Sequence, residues 1–249
     1  MAILKVKGLN KSFGGIQAIV NLDFIVEEGE LLGIIGPNGA GKTSLFNLLS
    51  GFHRPDSGSI RFKEEEISGK KPYEIVTLGI SRTFQVPKPF VEMNVMETLL
   101  IPSFSPRIKK HGRLKEEVEE RILSILEQIR LKPLIHQDVL NLSQGEHKLL
   151  DIGRALATEP EVLLLDEPFA GLGHENIGVL SELLINLRRK GVTIIIIEHR
   201  LRELMKLVDQ VLVISFGNKI AHGTPAQIVQ DPQVIQAYLG ERGARIGLA

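Results

Sequence analysis

The sequence predicts an α/β fold: a mostly parallel sheet, an N-terminal antiparallel β region, and an inserted α-helical subdomain. Three observations carry this. Apolar runs of strand length at Leu31–Ile35, Val162–Leu165 and Val192–Ile197 read as strands covered on both faces. Residues 3–9 alternate between apolar and polar, as a half-buried strand does. Beyond residue 85, Pro87, Pro89, Pro102 and Pro106 punctuate loops before a charged amphipathic helix, and the strand–helix rhythm breaks.

Composition bounds the possibilities. The chain has 249 residues, the size of one large domain or two small ones, and needs no covalent staples. Cysteine is absent, which excludes disulfides, a thiol nucleophile and cysteine-ligated zinc. Thirty basic side chains balance thirty acidic ones, so no overall basic field draws the chain to nucleic acid or anionic lipid. Met1 to Asn10 lacks the continuous apolar core of a signal peptide. Val192–Ile197 is too short to cross a bilayer, so work at a membrane would require partners that hold the chain there.

Taken in order, Ile3–Leu9 and Ala18–Val26 read as strands, the second ending at the turn Glu27-Glu28-Gly29. Between them Phe13 sits at the bend Gly14-Gly15. There a ring can be presented to a ligand, or can simply pack the loop. The strand before Gly36 then runs into Gly36-Pro37-Asn38-Gly39-Ala40-Gly41-Lys42-Thr43-Ser44, followed by the periodic Leu45, Leu48 and Leu49. This is strand, Gly-x-x-x-x-Gly-Lys-Thr, helix: the setting in which the P-loop pattern has physical meaning. Glycines let successive N–H groups curl around a phosphate, and the helix start near Gly41 adds its positive end. Lys42 is placed to reach the β- and γ-phosphates, and the Thr43 hydroxyl to ligate Mg²⁺. A Gly-rich turn with an exposed lysine explains the bare pattern, but not its flanking strand and helix.

After the helix ends at Gly51, Arg54–Gly58 makes a turn and Ser59–Phe62 a short edge-type strand. Gly79–Phe84 reads as a strand delivering Gln85. The segment Arg113–Leu131 is helical, with Leu114, Val118, Ile122, Ile125 and Ile129 on one face. The basic run from Arg107 to Arg113, with Lys109, Lys110 and His111, reads as a solvated loop or a contact to lipid headgroups. Ser143-x-x-Glu146 before Leu149, Leu150, Ile152 and Leu156 satisfies the capping-box rule. A capped start with Gly145 is also an anion site. The α/β rhythm resumes with the strand ending at Asp166-Glu167-Pro168, a helix from Glu175 to Lys190, the strand Val192–Ile197, a helix Leu201–Val208 and the strand Val211–Ile214. Phe216–Lys219 turns the chain into Ile220–His222. Thr224-Pro225 and Asp231-Pro232 each cap a short helix, and residues 240–249 look frayed. The chain divides accordingly into 1–85 and 157–240, which form the core, with 86–156 inserted and 241–249 as a tail.

In an open parallel sheet, ligands bind outside the carboxyl ends of the strands. Four strands release polar groups there: Gly36 with its loop, Gln85, Asp166 with Glu167, and His199. Asp166 is placed for the Mg²⁺ held by Thr43. Glu167 faces the water beyond the γ-phosphate as general base or water orienter. His199 is placed to hydrogen-bond the γ-phosphate, and Gln85 suits a Mg²⁺ or water contact that forms and breaks. An ordinary acidic strand end, a surface histidine and a loop amide are the plainer alternatives for each one alone.

Together Phe13, the loop 36–44, Gln85, Leu142–Glu146, Leu163–Pro168 and Glu198-His199 resemble the ATP-binding subunits of ABC transporters over nearly the whole chain. The resemblance implies a P-loop NTPase core of RecA-like form. It also implies that Phe13 stacks on adenine, and that two ATP-binding subunits, of the same or a related chain, meet head to tail. Each ATP, with Mg²⁺, would lie between one P-loop and the partner's residues equivalent to Ser143 and Gly145. Closure and reopening would drive membrane-spanning permease subunits from the cytoplasmic face of the membrane, and indirectly serve a solute-binding protein. Residues 12–18, 81–85, 92–98, 170–172 and 237–240 resemble the branched-chain amino-acid uptake group, particularly its larger ATPase subunit. Importers of urea or other amides share several of these stretches. Two departures stand out. Gly173 replaces an Asp or Asn that contacts across the dimer, and His147-Lys148 replaces a Gln-rich continuation. A soluble ABC ATPase acting on nucleic acid or ribosomes is the rival from another class. One cassette, no sustained heptads and zero net charge argue against it. Intact Lys42, Asp166, Glu167 and His199 argue against a regulator that binds nucleotide without hydrolysing it.

Overall fold

The computed structural model describes residues 1–84, 90, 92–109 and 115–239. In chain order, β1 (Ala2–Phe13) and β2 (Ile16–Glu27) form a hairpin across Gly14-Gly15, and β3 (Leu31–Ile35) leads through the Gly-rich loop into α1 (Lys42–Leu49). β4 (Ser57–Phe62), β5 (Glu65–Glu66), α2 (Pro72–Leu78) and β6 (Ile80–Arg82) follow. Next come α3 (Val95–Leu100), α4 (Pro106–Lys109), α5 (Lys115–Gln128) and α6 (Gln144–Leu156). The chain closes with β7 (Val162–Asp166), α7 (His174–Arg189), β8 (Thr193–Ile197), α8 (Leu201–Met205), β9 (Gln210–Ser215), β10 (Asn218–Gly223), α9 (Pro225–Ile228) and α10 (Pro232–Leu239).

Among the described residues the strands form two sheets. One is antiparallel in the order β2-β1-β4-β5; the other runs β10-β9-β3-β8-β7-β6. In the second sheet every pairing is parallel except that of β10 with β9. The period-two geometry of a strand explains the unbroken apolar runs. Leu31 and Ile35, Leu163 and Leu165, Ile194 and Ile196, and Val211 and Val213 join a core with Leu99, Ile122, Leu149 and Leu180 of α3, α5, α6 and α7. Their neighbours Leu32 and Ile34, Val162 and Leu164, Ile195 and Ile197, and Leu212 and Ile214 join a second core with α1 and the antiparallel sheet. Both faces are covered, so the middle strands are apolar except at their ends, where Thr193 opens β8 and Asp166 closes β7. Each fully buried aliphatic side chain contributes about 1.5–3 kcal/mol.

The structure corrects several expected elements. Ser59–Phe62 is not an edge: β4 lies between β1 and β5, and a two-residue strand is too short to leave a pattern. The helix expected over Arg113–Leu131 is α5. It buries Ile122, Ile125 and Leu126 and ends before Arg130, whose φ of 58° is left-handed and cannot continue a helix. Leu114 and Arg113 lie outside the described residues. The helix expected over Leu201–Val208 stops at Met205, where Leu207 N–H turns back to Leu204 O at 2.9 Å. α2 was not expected, because it buries only Ile75 and has little amphipathic signal. Arg107 is neither solvated nor free for lipid: it donates to Leu78 O at 2.9 Å, Glu159 O at 3.0 Å and Glu161 at 3.2 Å. Lys110 to Arg113 lie outside the described residues. No helix among the described residues is long and apolar enough to cross a membrane.

Candidate functional site

β3, β8, β7 and β6 are parallel neighbours, so their carboxyl ends line one edge of the sheet. Gly36 leaves β3, Asp166 ends β7 with Glu167 next, and Glu198 and His199 follow β8. The convergence expected from sequence is therefore met on β3, β8 and β7. Gln85, expected at the end of β6, lies outside the described residues.

The loop 36–44 has the backbone that its glycines permit. Gly36 is buried against β9, where a Cβ would come within 2.0 Å of Ile214 O. Gly41 has φ 104°, and a Cβ there would meet Ala18 O at 2.2 Å. Both positions require glycine, one for close approach and the other for a left-handed turn as well. α1 begins with Lys42, and its N-cap Gly41 offers no side chain to the first N–H groups. An anion can therefore meet them. Lys42 is buried and turned back on its own loop, donating to Gly36 O at 2.6 Å and Pro37 O at 2.8 Å. These bonds hold the ammonium inside the ring of amides. Asn38, Gly39 and Thr43 are exposed, Ala40 and Pro37 are buried, and Ser44 is half-buried.

Asp166 is paired, which the sequence did not disclose. Arg82 Nη2 donates to its Oδ2 at 2.8 Å, with side-chain exposures of 7% and 3%. Arg82 Nη1 also reaches Asn47 Oδ1 at 2.6 Å and Ser50 Oγ at 3.1 Å, tying β6 and β7 to α1. The Phe84, Phe46 and Phe52 rings surround the guanidinium at 5.2, 5.4 and 6.0 Å. Burial pulls the Arg82 guanidinium down from its ordinary value, and Asp166 acts in the opposite sense. Removing one member of such a pair leaves a buried charge unmet. Arg82→Met is therefore expected to lower the unfolding free energy by about 3–5 kcal/mol, measured by urea denaturation. A loss below about 1 kcal/mol would mean that the pair behaves like an exposed one.

Glu167 and His199 are already together, with Glu167 Oε1 3.0 Å from His199 Nε2. Glu198 holds this corner. It is 2% exposed and accepts N–H groups from Phe169 at 2.7 Å, His199 at 2.7 Å and Arg200 at 3.0 Å. Charge-assisted bonds to several backbone amides satisfy a buried carboxylate without a salt bridge.

The remaining expected residues stand apart from this edge in element, if not in role. Phe13 ends β1, 39% exposed, its ring 5.0 Å from that of His53 in an edge contact. Ser143 caps α6, with its N–H to Glu146 Oε2 at 2.6 Å and Glu146 N–H to Ser143 Oγ at 3.3 Å. Such a cap contributes about 1 kcal/mol. Gly145 lies against α7, where a Cβ would be 2.6 Å from Asn176 Nδ2. Thr43 and Asp166 supply a hydroxyl and a carboxylate, both hard oxygen donors. Arg82 occupies Oδ2 and leaves Oδ1, so the donor set fits a small hard cation that takes its other ligands from phosphate and water. The sequence reading missed Arg82, Asn47 and Ser50. A guanidinium following two residues of a short buried strand was the available signal, since a buried cation requires a partner.

Comparison with known proteins followed the same lines. The sequence profile of the ABC transporter family matches residues 19–170, and that of the branched-chain amino acid ATP-binding cassette transporter matches residues 218–244. A probable branched-chain amino acid transport ATP-binding protein, LivG, of Archaeoglobus fulgidus is 40% identical, over 99% of this chain and 98% of its own. The high-affinity branched-chain amino acid transport ATP-binding protein LivG of Salmonella typhimurium is 39% identical, over 96% of this chain and 98% of its own. Among solved structures, the ADP conformation of an ATP-binding cassette of an ABC transporter superposes with a TM-score of 0.86 at 36% identity, covering 96% of this chain and 99% of the other.

Proposed function

This chain belongs to the ABC transporter family of ATP-binding proteins, and from that premise we propose that it is the ATP-hydrolysing motor subunit of an importer for branched-chain amino acids. The observation that carries the reading is the meeting of the phosphate loop, Asp166, Glu167 and His199 along the ends of adjacent parallel strands. The near full-length similarity to branched-chain amino acid transport ATP-binding proteins supports the cargo class.

In this reading the N–H groups of residues 36–44 wrap the phosphates, and Lys42 exchanges its two carbonyl partners for β- and γ-phosphate oxygens. Thr43 and Asp166 would hold Mg²⁺, which would neutralise charge on the phosphate oxygens. Glu167 takes a proton from the attacking water as that water's oxygen bonds to the γ-phosphorus and the bond to the ADP oxygen breaks. His199, against the same carboxylate, orients it and hydrogen-bonds the γ-phosphate. Phe13 stacks on the base, and Gln85 carries the state of the site toward the helices. Ser143 and Gly145, at the capped start of α6, serve a nucleotide held by a second ATP-binding subunit, as in the head-to-tail pairing that the family resemblance implies. The permease subunits hold the assembly at the cytoplasmic face of the membrane.

Co-expression with membrane-spanning subunits of a branched-chain amino acid importer, purification, and reconstitution into vesicles test this. ATP enclosed in the vesicle with the subunit's face is expected to drive uptake of leucine, isoleucine or valine, supplied outside with the solute-binding protein. ATP hydrolysis with uptake of urea or another amide instead would keep the motor and reassign the cargo.

A further inference from the structure

Among the described residues, the buried lysines are Lys42 and Lys148, and only Lys42 has been given a task. Lys148 lies on α6, five residues after the capping Ser143, in the stretch where the sequence departs from the family pattern. Its ammonium crosses to β7 and donates to the main-chain carbonyl of Glu167.

That carbonyl belongs to a turn under constraint. Glu167 has φ 48°, in the left-handed region, where a residue with a side chain persists only if its surroundings over-determine it. The constraints are visible. Glu167 N–H donates to Ile197 O at 2.9 Å, fixing the turn to β8. Its C=O receives Ala170 N–H at 3.2 Å together with the Lys148 ammonium. Two residues on, Phe169 N–H is held by Glu198 at 2.7 Å. The amide N–H, the carbonyl and the following chain are thus pinned by the end of β8, by α6 and by Glu198 just after β8, and the side chain emerges with Oε1 against His199.

We propose that Lys148 is the positioning residue for Glu167: by holding the glutamate's carbonyl it fixes the left-handed turn that aims the carboxylate at the reacting water. The inference rests on the reading of Glu167 as the base. A buried ammonium used only for packing would be an expensive choice when leucine fills the same space. Burial lowers the affinity of Lys148 for its proton, while Glu198, Glu167, Asp166 and Asp151 all act to retain it. From α6 the ammonium holds the turn.

The experiment is steady-state ATP hydrolysis by the full chain carrying Lys148→Met or Lys148→Arg, with nucleotide affinity measured separately by calorimetry. Displacing a catalytic group by a fraction of its reach costs rate and not binding. Lys148→Met is therefore expected to lower kcat by about 10–100-fold, with KM and nucleotide affinity within about twofold of wild type. Lys148→Arg, which keeps charge and donor, is expected to recover all but a few-fold of the loss. Should the methionine variant not remain folded by circular dichroism, Lys148→Gln must give the same split. A folded variant with wild-type kcat, a loss carried wholly by KM, or an arginine variant as slow as the methionine one would each overturn the proposal. A wild-type chain that does not hydrolyse ATP would instead overturn the function on which it rests. Normal hydrolysis by Glu167→Gln would overturn the role of the glutamate and this inference with it, and leave the motor reading standing.

Discussion

Glu167→Gln is expected to bind ATP as the wild-type chain does and to hydrolyse it about 10²–10³-fold more slowly, the usual worth of a positioned general base. The amide is nearly isosteric, so the left-handed turn, the carbonyl held by Lys148 and the approach to His199 Nε2 are kept. Only the capacity to take a proton is removed. Because hydrolysis is what reopens the head-to-tail pair, the variant is also expected to accumulate as a dimer on size exclusion with ATP and Mg²⁺, and to run as a monomer without them. Steady-state phosphate release and the elution volume read the two effects independently. Rapid hydrolysis by the variant would remove Glu167 from the mechanism. Slow hydrolysis with no dimer would keep the base and remove the proposed dimer cycle.

Lys42→Ala is expected to weaken ATP binding by at least about 10²-fold in calorimetry, since two charge-assisted bonds to phosphate oxygens are lost at about 1.5–3 kcal/mol each. The structure sharpens this expectation. Lys42 donates to Gly36 O and Pro37 O, so it is also a brace of the loop, and the alanine variant loses that brace before nucleotide arrives. Lys42→Arg separates the two roles. Its charge is kept, but the planar fork cannot occupy the small space between two carbonyls as a compact ammonium does, so only partial recovery is expected. Unchanged ATP affinity in the alanine variant would overturn the assignment of residues 36–44 as the phosphate cradle.

The parts of the site that were legible in sequence are those in which one short segment makes its own geometry. The loop 36–44 carries its glycines, lysine and flanking strand and helix within contiguous chain, and each glycine that needs close approach or positive φ is in the pattern. The strands β3, β7, β8 and β9 were legible because the interior of a strand covered on both faces must be apolar. The capping box at Ser143 was legible because it is a contact between residues three apart. Elements failed where the local signal was weak or where one residue overrode it. β5 is two residues long, α2 buries one side chain, and α5 is ended by the left-handed Arg130. Arg107 departs from the solvated reading of its run for a related reason: its charge signals solvent, whereas Leu78 on one segment and Glu159 with Glu161 on another supply the acceptors that capture it.

By itself the sequence determined the α/β class, which strands release polar residues at their ends, the Gly-rich loop 36–44 between strand and helix, and Asp166, Glu167 and His199 as the candidates that follow those strands. Only the tertiary structure decided what those residues hold. Arg82 meets Asp166 across 84 positions of sequence, Glu198 meets Phe169 across 29, and Lys148 meets Glu167 across 19. The physical reason is range. Side-chain periodicity, glycine freedom and helix caps act within a few residues and are written in order along the chain. A buried charge is instead satisfied by whichever opposite group the packing of separate elements brings within about 3 Å.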